Sequence, residues 1–214
     1  MKAKATFALL VLAIWSGTAF AGPPSLLGGK PLPGGTAHRV GAGWPSLLYE
    51  WWHAGNPDWA IGGELVYGEW SGEYSDVEIG GAFNVPLRWH IGGGGAVDVA
   101  FRLTPGVLFG SAEERREDDF VFGLRGEFGI PITIDLSPEV NLVTGVMVPF
   151  SAFFVDDADD YVVIPILPRI GAELKATNTI TPWLLLELGP AIAAGEFGSD
   201  VDFAFRVWVG STFR

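Results

Sequence analysis

A set of ionisable side chains stands at alternate positions inside otherwise apolar stretches of this chain: Glu64, Arg88, Asp98, Arg102, Arg125, Glu127, Arg169, Glu173, Glu187, Asp202 and Arg206, with Lys175 beside them. Acids and bases occur in nearly equal number, and three chemistries are open to such a set. The residues can neutralise one another as a buried ion-pair network, because a charge taken out of water alone is costly. They can line a gated polar path for small solutes. Glu64, Glu127 and Glu187 can also be read as general acid and base groups.

Other reactive groups are sparse. The histidines are His38, His53 and His90, on separate segments, and no serine alternates with His90 to make a nucleophile and base pair. The chain has no cysteine, hence no thiolate and no disulfide, and shows no metal-ligand spacing. Gly92–Gly95 leads into another extended segment and not a helix, so it is a turn and not a phosphate cradle. Asp156-Asp157-Ala158-Asp159-Asp160 offers oxygen ligands for a weak divalent cation, but lacks the glycine and final glutamate of an EF-hand loop; a solvated loop is the alternative. These residues therefore assign no catalytic group and no cofactor, and the expectation is that the chain is not an enzyme.

The elements that must position the charges are strands. From Asp76 to Ile91 the residues Val77, Ile79, Phe83, Val85, Leu87, Trp89 and Ile91 fall on one face, with Gly80, Ala82, Asn84, Arg88 and His90 on the other. The same alternation recurs in Asp58–Trp70, Ala96–Phe109, Phe120–Ile134, Glu139–Phe154, Tyr161–Ala176, Thr179–Ala194 and Val201–Phe213. Two shorter segments, Thr36–Trp44 and Ser46–His53, precede them. The count is about ten strands, or eight if the short pair is not real. In every long segment the large apolar residues are unbroken, while glycine and alanine share the other face with the charges. Small residues among charges suit a cramped interior, so the large apolar face is the outer one.

That inversion predicts an all-β, closed, antiparallel up-and-down transmembrane barrel of about 8–10 strands. No helical span competes. The longest charge-free run, Val140 to Val155, is shorter than the roughly 18–20 residues a helix needs, and it contains Gly145 and Pro149. Residues 1–21 read as a cleaved secretory signal, with Lys2 and Lys4 before an apolar run and Ala19-Phe20-Ala21 at the cleavage site. Residues 22–35 are rich in Pro and Gly and read as an irregular arm or linker, and 36–214 form the barrel. The net charge of −12 argues against nucleic acid as a partner. Long charged connections alternate with tight ones, which puts both termini on the side of the tight turns. Trp51, Trp59, Trp70, Trp89, Phe109, Phe120, Phe154, Tyr161 and Trp183 lie toward strand ends and are expected in interfacial girdles.

The end of the chain carries a family likeness. Val207, Val209 and Phe213 alternate toward an aromatic close, although Ser211 interrupts the apolar face and Arg214 follows the Phe. In this the chain resembles small outer-membrane β-barrel proteins of Gram-negative bacteria. The resemblance implies a cell outer-membrane location, contact with outer-membrane lipids, and handling by the barrel assembly machinery that reads such C-termini. Three functions stay open: a structural or surface-interaction barrel with a charge-filled lumen, a narrow channel or transporter for small polar solutes, and a lipid- or peptide-modifying enzyme. Cargo and oligomeric state are not encoded in any recognisable motif.

Overall fold

The computed structural model describes residues 23–67, 79–111, 120–155, 161–195 and 198–214. No helix occurs among them. The strands are β1 (Thr36–Trp44), β2 (Ser46–His53), β3 (Asp58–Val66), β4 (Ile79–Asn84), β5 (Leu87–Gly94), β6 (Val97–Ser111), β7 (Phe120–Asp135), β8 (Val140–Val155), β9 (Tyr161–Pro165), β10 (Leu167–Leu174), β11 (Ile180–Gly195) and β12 (Gly198–Phe213). Chain neighbours pair antiparallel, and β12 returns to β1 in register from His38↔Phe213 to Trp44↔Val207. The result is a closed 10-strand up-and-down barrel. Closure leaves no strand edge unpaired.

Twelve segments make ten staves because two staves are interrupted. β4 and β5 both lie between β3 and β6, and β9 and β10 both lie between β8 and β11. Each break adjoins a proline, Pro86 or Pro165, which has no amide proton to give to the ladder. The pairing survives through the neighbours: the Val85 amide donates to Pro105 O at 2.9 Å and the Ile166 amide to Pro190 O at 2.8 Å. The expected strand ending at Trp70 is described only to Val66, and the one beginning at Asp76 only from Ile79. Both short segments, β1 and β2, are full staves, which decides ten over eight. β12 begins three residues earlier than expected, so Ser199 and Asp200 pair with Ala194 and Ala193 instead of forming a loop.

The faces follow the alternation. Ile79, Phe83, Leu124, Ile130, Ile170, Leu184, Phe203 and Val209 project outward and are exposed. Trp51 packs edge-on against Trp59 with ring centres 5.4 Å apart, and Trp89 lies against Phe101 at 5.8 Å, both near the end of the barrel that holds the termini. Trp44 and Tyr67 meet at the far end, 6.4 Å apart. Trp183 departs from the expected girdle. It shares the inward parity of Glu187 on β11, is buried, and lies under the Arg39 guanidinium at 5.9 Å. Trp70 lies outside the described residues, as do the side chains of Phe120 and Tyr161.

The interior is layered along the axis. At the termini end, Leu26, Leu32, Ala37, Trp52 and Ala60 form one apolar cluster, and Leu27, Val143, Trp183, Leu185 and Trp208 another. The middle is charged. The far end is closed by a third apolar cluster that includes Val66, Leu108, Phe153, Val163 and Leu167.

Candidate functional site

Inward positions on β1, β2, β6, β7, β10, β11 and β12 converge on the middle layer, where they form a continuous chain of ion pairs. Arg39 Nη2 donates to Glu50 Oε1 at 2.6 Å, and Arg102 Nη2 reaches the same oxygen at 3.2 Å. Arg102 Nε lies 3.8 Å from Glu127 Oε1, and Arg206 Nη2 donates to Glu127 Oε2 at 2.8 Å. Arg206 also meets Glu187 Oε2 at 2.7 Å, and Arg169 Nε lies 3.2 Å from Glu187 Oε1. To one side, Arg125 Nη1 pairs with Glu64 Oε2 at 2.7 Å, and Ser46 Oγ donates to Glu64 Oε1. Both oxygens of Glu127 and of Glu187 therefore face arginines. The cavity that remains inside this layer measures about 60 Å³. A water needs about 10–15 Å³ of such space, so the cavity has room for a few waters.

Trp52 couples this layer to the one below. Its Nε1 donates to Glu50 Oε2 at 2.6 Å, and its ring lies 5.6 Å from the Arg102 guanidinium and 5.3 Å from that of Arg88. Arg88 belongs to a second polar system whose partner is the chain itself. Residues 22–35 were expected to be an irregular arm or linker; the described part has no helix or strand and enters the termini end of the barrel, where Ser25, Leu26 and Leu27 are fully buried. A segment with no sheet partner must satisfy its backbone otherwise. Glu173 Oε1 accepts from the Leu26 and Leu27 amides, each at 3.2 Å. Arg88 Nη1 donates to Ser25 O at 2.5 Å and Gly28 O at 3.2 Å, and Asn141 Nδ2 donates to Pro23 O at 2.8 Å. Lys30 Nζ donates to Asp135 Oδ2 at 2.6 Å.

Glycine lets the segment seat. A Cβ on Gly28 would run into the Thr133 hydroxyl, and one on Gly29 into the Asp98 carbonyl. A helix or strand register has no part in holding this stretch, so neither 3.6- nor 2-residue periodicity marks it in the sequence.

The structure thus divides the sequence-predicted charges. Glu64, Arg102, Arg125, Glu127, Arg169, Glu187 and Arg206 meet in the middle layer. Arg88 and Glu173 hold the N-terminal segment. Asp98 sits at the rim of the termini end, its Oδ1 3.9 Å from His90 Nε2. Asp202 stands toward the far end and accepts from the Phe203 amide at 2.7 Å. Lys175 does not point inward; it is exposed just past the end of β10. Arg39 and Glu50 were missed, although Ala37, Arg39, Gly41 and Gly43 alternate as small or charged residues along β1. Asp156–Asp160 and residues 1–22 lie outside the described residues. No protein-family model matches the chain, and no curated protein matches it in sequence.

Proposed function

We propose that the chain is a transmembrane barrel of a bacterial outer membrane, exported behind residues 1–21, and that its lumen is closed, so that it acts as a structural or surface-interaction element and not as a pore. The observation that carries the closed lumen is the unbroken ion-pair chain from Arg39 through Glu50, Arg102, Glu127, Arg206 and Glu187 to Arg169. Membrane residence is supported by the inverted faces. A barrel in water hides its large apolar residues, whereas here Phe203, Val209 and Ile170 project from the outer wall and the charges fill the inside. Small residues such as Ala100 and Ala204 line the interior, leaving room for the arginines.

The test is a planar-bilayer recording of the purified full chain. A closed lumen gives no discrete conductance steps, and steady conductance from the wild-type chain would overturn the reading. Membrane residence is checked separately by fractionation: the chain should need detergent for extraction and migrate faster on a gel before boiling than after. Recovery in a detergent-free periplasmic fraction would exclude it. The second reading, a gated path for small polar solutes, is favoured by one feature: the N-terminal segment is not part of the wall and is held there largely through polar contacts.

A further inference from the structure

The middle cavity has a surplus of positive charge and of hydrogen-bond donors. Five arginines line it against four glutamates, with no lysine or histidine on its wall. Charge therefore fails to balance by one unit. Hydrogen bonding fails in the same direction. Arg39 Nε, Arg169 Nε and Nη1, Arg206 Nε and Trp183 Nε1 are buried donors without a hydrogen-bond partner among the described residues. Against them stands one unpartnered acceptor on the wall, Asn84 Oδ1.

Arg169 is the focus of the imbalance. It is 5% exposed, and the carboxylate it pairs with among the described residues is Glu187, whose other oxygen is already taken by Arg206. Its Nη1 and the neighbouring Arg206 Nε have no acceptor among the described residues. A buried guanidinium left in this state is costly, and the missing partner must accept hydrogen bonds and carry negative charge. Water meets this need only in part, because each water brings two protons that require acceptors of their own. A small anion accepts from every side. The volume of about 60 Å³ fits a halide or a small planar oxyanion with a water or two, and nothing the size of a nucleotide or sugar.

We infer that the cavity is a binding site for one small monovalent anion, of halide or nitrate size, seated against the guanidiniums of Arg169 and Arg206. Glu127, on the same wall, also acts on Arg169, but its two oxygens face Arg102 and Arg206, and Glu173 in the layer below is occupied by the Leu26 and Leu27 amides and the Asn141 amide nitrogen. The site is built from the barrel interior, the inner wall with Leu27 of the N-terminal segment, and not from what surrounds the barrel.

The full chain in detergent micelles supplies the test. Thermal unfolding is compared in sodium chloride and in sodium gluconate at equal ionic strength, which holds screening constant while gluconate is too large for the cavity. A bound anion makes Tm rise with the logarithm of chloride concentration, by mass action on the folded state. Arg169→Gln flattens that dependence. Crystals of the wild-type chain soaked in bromide should show an anomalous peak in contact with Arg169, and this holds whether or not the variant folds. Equal melting in the two salts overturns the inference. So does a cavity without a bromide peak, which would mean water only. A peak without chloride-dependent melting is binding at crystal concentration only, and also overturns it.

Discussion

Arg88 and Asp58 face each other across the junction of β3 and β5, with Nη2 and Oδ2 2.7 Å apart, and both also grip the N-terminal segment. Asp58 Oδ2 accepts from the Leu32 amide at 3.2 Å while Arg88 donates to the carbonyls of Ser25 and Gly28. The pair is almost fully buried. It ties the segment to the wall from both sides, through the Leu32 amide and the Ser25 and Gly28 carbonyls.

Asp58→Ala leaves the Arg88 guanidinium buried without its carboxylate, which typically costs about 3–5 kcal/mol. Arg88→Leu alone leaves Asp58 buried without its cation, held by the Leu32 and Gly55 amides. The double variant removes both charges, so its loss of stability should fall well short of the sum of the single losses. Equilibrium unfolding of the four proteins in micelles checks this. Additive losses would mean that the two side chains act independently.

Glu173→Ala removes the acceptor of two buried amides at once. A hydrogen bond to a charged group contributes about 1.5–3 kcal/mol, so exchange of the Leu26 and Leu27 amides should accelerate about tenfold to a hundredfold. Hydrogen exchange read at those two amides checks it, with β11 and β12 amides as the unaffected reference. Unchanged protection at Leu26 and Leu27 would show that apolar contacts hold the segment by themselves.

The ten staves were legible because β7 and β12 alternate along most of their length, and a one-residue slip would turn Arg125 and Arg206 toward the outside. The lumen charges were legible for the same reason, since parity alone assigns Arg102, Arg125, Arg169 and Arg206 to one side. Parity gave no answer on β2. There Leu48 and Trp52 point inward and Leu47, Tyr49 and Trp51 outward, so both faces are apolar and Glu50 carries no contrast. Trp183 was misassigned because position along a strand was weighed above its face. The N-terminal segment was illegible for a deeper reason. Its backbone is satisfied by side chains more than a hundred residues away, such as Glu173 and Asn141, and such pairing leaves no local pattern.

Gly28→Val places branched carbons where the Thr133 hydroxyl stands, and the segment cannot seat without moving it. The barrel wall is untouched by this change. Exchange at Leu26 and Leu27 should rise as it does for Glu173→Ala, while the global unfolding transition shifts little more than loss of the segment's contacts requires. Thr133→Ala clears the space for one of the new methyl groups and should restore part of the protection. Failure of that rescue would show that the obstruction lies elsewhere, with the Ser25 hydroxyl as the next neighbour.

Ile170 and Leu136 are equally exposed, at 56% and 58%, but they occupy different depths. Ile170 lies in the middle of its stave opposite Leu186, while Leu136 sits in the turn between β7 and β8 at the termini end. In water the two positions are equivalent, and arginine at either is close to neutral. In a bilayer Ile170 faces hydrocarbon and Leu136 the interface. Arginine then costs about 2–4 kcal/mol at the midplane and about 0–1 near the interface. Ile170→Arg should therefore lower the unfolding free energy in lipid vesicles by that larger amount, and Leu136→Arg should leave it nearly unchanged. Equal, small effects at both positions would place the outer wall in water and defeat the membrane reading, whatever the lumen contains.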